Sequence, residues 1–276
     1  IGHVVLKEFF VDQHVDFFVD YNRRFTDLPY LVTLEPGEDG AYRPGKFLVA
    51  GDFENAEQSS ENAMWKPAVI DERTGQVVIP QGSIGHRYGD EGLGKWNLDL
   101  GEITPALTLH KDKFHAVEVT LPRFDTPDGS LAQERRGVPV RTVDGHLVTT
   151  VLDLMLAHYG VERAGLPGSW PQGYDDPSVP ATPAWASQIC GAPIEQIVRL
   201  GREWAQNAVD TGGRGMILMG AGTNHWYHSD QIYRAMLVLT TITGCQGRNG
   251  GGWAHYVGQE KIRPIMGFQH LAFALD

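Results

Sequence analysis

The sequence is poor in cysteine. Cys190 and Cys245 are the only two among its 276 residues, and they stand far apart with no C-x-x-C pair. This spacing argues against a disulfide scaffold, a zinc ribbon and an iron–sulfur site whose ligands all come from this chain. We therefore expect both cysteines to be small core residues.

Positive charge is scarce too, with 23 Lys and Arg against 34 Asp and Glu and a formal net charge of −11. A basic face is what nucleic acids and anionic membranes require, so we predict no nucleic-acid partner. No apolar run approaches the ~20 residues that a membrane helix needs. The sequence starts at Ile1 without a Met and ends on an apolar run, so we expect a piece of a larger protein.

Glycine is abundant, with 33 residues beside 16 prolines, while 42% of the residues are hydrophobic. This composition favours a packed core crossed by many turns. Residues 1–25 are predicted to be helical, with a break near Val11, and 28–34 to form a short strand. Val138–Val143 and His146–Val148 flank Asp144-Gly145, which predicts a hairpin. Thr150 is expected to cap a following helix.

The last hundred residues are more regular. Pro193–Asn207 has the apolar spacing of an amphipathic helix. The run Met216–Met219 is predicted to be a strand buried on both faces of a parallel sheet. A turn follows at 220–226, and Ser229 is expected to cap the next helix. The fold class predicted is α/β, with a helix-flanked β-rich region over 1–180 and a Rossmann-like parallel-sheet region over 181–276.

Two glycine-rich segments are candidate phosphate-binding loops. Gly220-Ala221-Gly222 follows a predicted strand and precedes a predicted helix, which is where dinucleotides bind, although His225 replaces the third glycine of the nicotinamide fingerprint. Residues 244–252 contain five glycines in nine positions, and bare backbone lets amides approach an anionic group. The alternatives are a tight turn for the first segment and a flexible linker for the second.

Charge and histidine patterns add to this picture. Between residues 214 and 264 there are five basic and two acidic side chains, which is consistent with phosphate binding in an otherwise acidic chain. His225 and His228 are spaced as on one helix face, but no carboxylate or cysteine completes a set of ligands. We therefore predict no metal ligand in this chain.

Longer stretches resemble a known family. Residues 182–207 (TPAWASQICGAPIEQIVRLGREWAQN) and 215–252 (GMILMGAGTNHWYHSDQIYRAMLVLTTITGCQGRNGGG) resemble the helix, strand, turn and glycine loop of molybdopterin oxidoreductases. Cys245 and Asn249 depart from the usual Asn and Pro of the glycine loop. At these two positions, over Asn224 to His228 and over 250–264 (GGGWAHYVGQEKIRP), the sequence resembles the α subunits of respiratory membrane-bound nitrate reductases.

This resemblance implies a Mo-bis(molybdopterin guanine dinucleotide) cofactor that reduces nitrate to nitrite in anaerobic respiration. It also implies a 4Fe-4S cluster in the parent subunit, whose ligands are absent from this chain. The implied partners are an iron–sulfur β subunit and a haem-containing membrane γ subunit. They would hold the enzyme at the cytoplasmic face of the cell membrane.

The resemblance also implies site residues. Glu260 and His225 are the candidate catalytic residues, with Glu260 in proton delivery or, equally, in an ion pair with Lys261 or Arg263. The candidate cofactor-binding residues come from both glycine segments and the residues after them: Gly220, Gly222, Asn224, His225, Trp226, Gly250, Gly251, Gly252, Trp253, His255, Val257 and Gln259.

Two alternatives remain open at this point. One is a related molybdenum enzyme that acts on another oxyanion or an organic oxide. The other is a plain dinucleotide-binding module, which a full G-x-G-x-x-G would favour. In the family that this sequence resembles, the Mo ligand and the iron–sulfur ligands lie in an N-terminal part that is not in this sequence, so the resemblance implies that the isolated chain is inactive.

Overall fold

The computed structural model describes residues 1–54, 63–80, 100–123 and 133–255. Its mixture of helices and sheets confirms the predicted α/β class. The helices are α1 (Gly2–Val5), α2 (Asp16–Phe25), α3 (Val151–His158), α4 (Pro183–Cys190), α5 (Ile194–Thr211) and α6 (Ser229–Ile242). The strands are β1 (Leu31–Pro36), β2 (Tyr42–Phe47), β3 (Val69–Ile70), β4 (Val77–Val78), β5 (His115–Pro122), β6 (Gln133–Val143), β7 (His146–Thr150), β8 (Met216–Met219) and β9 (Gly252–His255).

Five of these strands close into a barrel in the order β1, β2, β5, β6, β7, called the barrel below. The predicted hairpin joins β6 to β7, and both Asp144 and Gly145 have the positive φ that such a two-residue turn requires. Closure pairs β1 with β7, Leu31 lying opposite Thr150. The barrel itself was not predicted, because these partners are far apart in the sequence.

The N-terminal segment is helical as predicted. After α1 the chain continues in π-helical turns over Leu6–Asp12, and the break before α2 falls at residues 13–15, slightly later than expected. Phe9, Phe10 and Phe18 pack their rings together here. Thr150 caps α3 as predicted, since its hydroxyl accepts a hydrogen bond from the Asp153 amide at 3.1 Å.

The predicted amphipathic helix is α5, which extends to Thr211. Of the residues predicted for its inner face, Ile197, Val198, Gly201 and Ala205 are buried, whereas Ile194 is half-buried. At Gly201 the helix crosses α1 so closely that an added Cβ would lie 3.1 Å from the side chain of Val4. One apolar core cluster accordingly contains Val5, Phe18 and Leu156 together with Ala205 and Ile242. The boundary near residue 180 stays a prediction, and apolar packing continues across it.

Three local expectations differ from the structure. In β8, Met216 and Leu218 are exposed, so the strand is not buried on both faces. Within the described residues β8 pairs only with β9, and α6 packs against this two-stranded sheet. The residue before α6 is His228, with φ of 59°, so Ser229 is its first helical residue and not its cap. Cys190 is exposed at the end of α4, whereas Cys245 is buried as expected.

Within the residues that the structure describes, no helix combines the length and the apolar character that crossing a bilayer requires.

Candidate functional site

A βαβ unit carries the first candidate loop. Strands β8 and β9 are parallel, with Met216 opposite Gly252 and Met219 opposite His255. Helix α6 lies between them in the chain. The carboxyl ends of both strands therefore meet at one edge, which we call the strand-end edge. In open α/β sheets this is where ligands bind, because helix and loop amides point out of the sheet there.

The first glycine loop, residues 220–228, leaves β8 at the strand-end edge. It makes a single 3₁₀ segment, Ala221–His225, before α6 begins. A Cβ built at Gly220 or Gly222 would meet no atom within 4 Å. Packing within the described residues therefore does not require glycine at either position, so the bare backbone is available to a ligand.

The side chains that follow these glycines face solvent. Asn224 and His225 are exposed, and so is Trp226, at 72% of its surface. Tyr227 is 88% exposed and packs its ring against His228. Exposed aromatic and amide side chains at a strand end are suited to stacking on a flat heterocycle and to bonding its polar edge.

The second glycine loop, residues 244–252, lies at the opposite end of the same strands. Gly252 begins β9, so Gly250, Gly251 and Gly252 are separated from Gly220 by the length of β8. A Cβ at Gly251 would clash with the carbonyl oxygen of Gly213, and one at Gly252 would lie 2.6 Å from Gln246 Oε1. Backbone packing thus accounts for glycine at position 251, and the φ of 85° accounts for it at position 252. In the described residues the two loops form no common cradle, and a cofactor role for all three glycines stays a prediction.

Side chains of distant segments hold the second glycine loop in place. Tyr21 donates from its hydroxyl to the Gln246 carbonyl at 3.0 Å, and burial raises the pKa of that phenol. Asn22 donates to the Ile242 carbonyl at 2.7 Å, and Gln246 Nε2 donates to Thr240 Oγ1 at 3.0 Å. Because Tyr21 and Asn22 lie more than 200 positions upstream, no local sequence signal could have identified them.

Two further candidate residues lie on β9 beside α6. Trp253 and His255 point to the same face of the strand, where the ring of Tyr233 meets both edge-on, at centroid distances of 5.0 and 5.8 Å. His255 is exposed and ends the strand at the strand-end edge. The structure therefore brings Trp253 and His255 to the α6 side of the sheet and His255 to the same edge as the first glycine loop. Sequence reasoning missed Tyr233, because only the apolar stripe of this helix was considered.

The remaining candidates, Val257, Gln259 and Glu260, lie outside the described residues, and their roles stay predictions. Within the ranges that are described, no group of three or more His, Cys, Asp and Glu side chains is arranged to hold a metal ion. The strand-end edge presents backbone amides, polar side chains and aromatic rings, which are groups that bind organic cofactors.

Comparison with known proteins gives a consistent result. A family model for molybdopterin oxidoreductases matches residues 1–274. The chain is 56% identical over its whole length to the nitrate reductase alpha subunit of Mycobacterium tuberculosis. Over the same full length it is 46% identical to the nitrate reductase alpha chain of Bacillus subtilis and 45% identical to the respiratory nitrate reductase 1 alpha chain of Escherichia coli. It spans 22%, 22% and 23% of these three relatives, respectively.

Proposed function

Since this chain belongs to the molybdopterin oxidoreductase family, we propose that it is a segment of a respiratory nitrate reductase α subunit and forms part of its cofactor pocket. The observation that carries the proposal is end-to-end similarity of up to 56% identity to nitrate reductase alpha subunits. The geometry of the strand-end edge supports it, because a loop of bare backbone and exposed polar side chains follows a parallel strand there.

The residues at this edge fit a molybdopterin cofactor. The positions of Gly220 and Gly222 are open to a Cβ, so their amides can approach a pyrophosphate. Asn224 and His225 are exposed and can donate hydrogen bonds to a heterocycle or to an oxyanion. Trp226 offers a flat apolar surface for stacking. When bound, the cofactor supplies the two-electron chemistry that reduces nitrate to nitrite and water with two protons.

The chain's own contribution to the reaction is to bind and orient the cofactor and to transfer protons. His225 lies exposed at the strand-end edge, and histidine is the side chain that most often transfers protons in enzymes. Glu260 is proposed as the second proton-handling group, because the reduction consumes protons. His255 and Trp253 are proposed to line the pocket from β9.

The proposal has a finer part. We propose that the cofactor is the bis(molybdopterin guanine dinucleotide) form and that the 4Fe-4S cluster of the subunit takes its ligands from outside this chain, which has only two cysteines. An iron–sulfur β subunit and a haem-containing membrane γ subunit are the proposed partners, and the cytoplasmic face of the cell membrane is the proposed location. The names of the relatives, as alpha subunits and alpha chains, imply further subunits.

The open space at Gly222 gives a direct test in the complete subunit that contains this chain. Gly222→Val places a side chain where the described protein has no atom within 4 Å, so the fold should tolerate it. We expect the molybdenum and pterin content per subunit, and nitrate reduction by a reduced viologen, to fall at least about tenfold, the effect of 1.4 kcal/mol.

Thr223→Val in the same loop is the matched control, because it changes a neighbouring side chain without filling the bare position. Full cofactor content in the Gly222→Val subunit would contradict the placement of the cofactor at this loop. A wild-type subunit that contains no molybdenum, or that reduces another oxyanion but not nitrate, would overturn the proposed function itself.

A further inference from the structure

Tyr233 has a hydroxyl group that the described structure leaves without a partner. This oxygen is closed off from solvent and makes no hydrogen bond within the described residues. Burying a hydroxyl without a partner is unfavourable, because its hydrogen bonds to water are lost and not replaced. A phenylalanine would provide the same ring without that penalty, so the retained hydroxyl calls for an explanation.

The other buried atoms without partners are of a different kind. Asn22 Oδ1 belongs to an amide whose nitrogen donates to two carbonyls, those of Phe18 and Ile242. Arg163 has two unpartnered nitrogens, but its Nη1 donates to Asp153 at 2.5 Å and to Thr108 at 2.9 Å. These side chains are held by their remaining hydrogen bonds. The side chain of Tyr233 has a single polar group, and that group makes no hydrogen bond within the described residues.

The position of Tyr233 connects it with the strand-end edge. It lies near the start of α6, the end of the helix that follows the first glycine loop. Its ring meets Trp253 and His255 edge-on, and His255 is the last residue of β9. The ring is therefore fixed by two of the candidate pocket residues, which leaves the hydroxyl as the free functional group.

From this geometry we propose that the Tyr233 hydroxyl is a hydrogen-bonding group for the molybdopterin cofactor, while the Tyr233 ring positions His255 and Trp253. The inference rests on the proposed function, since it needs a cofactor at the strand-end edge. The hydroxyl gains its missing partner when the cofactor binds. It therefore destabilises the fold of the empty subunit and stabilises that of the loaded subunit.

The test is Tyr233→Phe in the complete subunit, prepared with and without cofactor. Without cofactor, the variant should unfold at the same temperature as wild type or higher, because it removes a buried group that has no partner. With cofactor, its midpoint should be lower than that of loaded wild type, and its affinity for the cofactor about tenfold weaker, measured as molybdenum and pterin retained on dilution.

Tyr42→Phe provides the control, because it removes the same atom from a half-buried tyrosine of the barrel. It should leave cofactor retention unchanged. The proposal is overturned if Tyr233→Phe retains the cofactor as wild type does. It is equally overturned if the variant lowers the unfolding temperature by the same amount with and without cofactor, since the hydroxyl then has a partner within the polypeptide. A wild-type subunit without molybdenum or pterin overturns the proposed function, whatever the variant does.

Discussion

In the barrel Val119 and Val138 are fully buried, whereas in β8 Leu218 is 77% exposed and Met216 48% exposed. All four are apolar residues of β-strands. The strands of the barrel form a closed ring of backbone pairing, and their apolar side chains pack on one another. The β8–α6–β9 unit packs one face of its sheet on α6, through Trp253 and His255, and leaves Met216 and Leu218 on the other.

This difference shows which part of the chain is self-sufficient. A closed barrel has no free strand edges, while a sheet of two strands with one covered face, which is what the described residues form at β8 and β9, is marginal alone. The β8–α6–β9 unit therefore depends on contacts that the barrel does not need. In the proposed function those contacts are the cofactor and the rest of the subunit, since the chain spans 22% of its M. tuberculosis relative.

The largest expected effect on stability is in the barrel, at Arg136. This side chain is 1% exposed and donates to four backbone carbonyls, those of Ala157, His158, Ser169 and Pro180. Arg136→Ala removes all four bonds and leaves a cavity, so we expect the free energy of unfolding to fall by about 3–5 kcal/mol. Chemical denaturation measures the change.

Arg135 on the same strand is the matched control for Arg136. Its side chain is 46% exposed and pairs with Asp39 at 3.1 Å. Arg135→Ala should lower the free energy of unfolding by at most about 1 kcal/mol. Equal effects of the two substitutions would show that the barrel does not depend on the buried carbonyl network around Arg136.

An intermediate effect separates the two regions directly. Val119→Ala in the barrel removes two fully buried methyl groups and should lower the free energy of unfolding by about 1–3 kcal/mol. Leu218→Ala in β8 removes more atoms, but they are exposed, so the change should stay within about 0.5 kcal/mol. Both values come from the same denaturation experiment on the isolated chain. If Leu218→Ala is the more destabilising of the two, the exposed face of β8 is covered in solution and the comparison fails.

The smallest effect concerns pH. Arg202 makes a two-pronged hydrogen-bonded pair with Glu8, at 2.7 to 3.0 Å, and lowers the pKa of that carboxyl. Tyr174 also donates to Glu8, at 2.8 Å. A carboxyl whose pKa is lower in the folded chain stabilises the fold above its ordinary pKa of about 4.3 and loses that contribution as the pH falls through the folded value.

On acidification below the ordinary pKa of about 4.3, the free energy of unfolding of the wild-type chain should therefore fall by up to about 1 kcal/mol through this group, and Glu8→Gln should lack that fall. Glu203→Gln on α5 is the control, because Glu203 is 66% exposed and pairs with Arg199 at 3.5 Å. Thermal unfolding between pH 3 and pH 6 distinguishes the two variants, since Glu203→Gln should keep the pH profile of the wild type. An identical pH profile for wild type and Glu8→Gln would contradict a stabilising role for the Glu8–Arg202 pair.

Several elements follow from the sequence by itself. The hairpin at Asp144-Gly145, the Thr150 cap of α3 and the inner face of α5 all depend on residues within four positions of one another, or on one periodic pattern. The order of strand, glycine turn and helix at 216–242 belongs to the same class. It was sufficient to locate the first glycine loop and its candidate residues.

Tertiary structure decided the rest, because it depends on pairs that no local pattern encodes. Barrel closure places Leu31 opposite Thr150, and Gly251 packs against Gly213. The parallel pairing of β8 with β9 puts the two glycine loops at opposite ends of β8, and the packing of the sheet leaves Leu218 exposed. The free hydroxyl of Tyr233 likewise became visible only when α6 packed on β9. Local chemistry determines turns, caps and helix faces, whereas the burial and partners of a side chain depend on which distant segments fold against it.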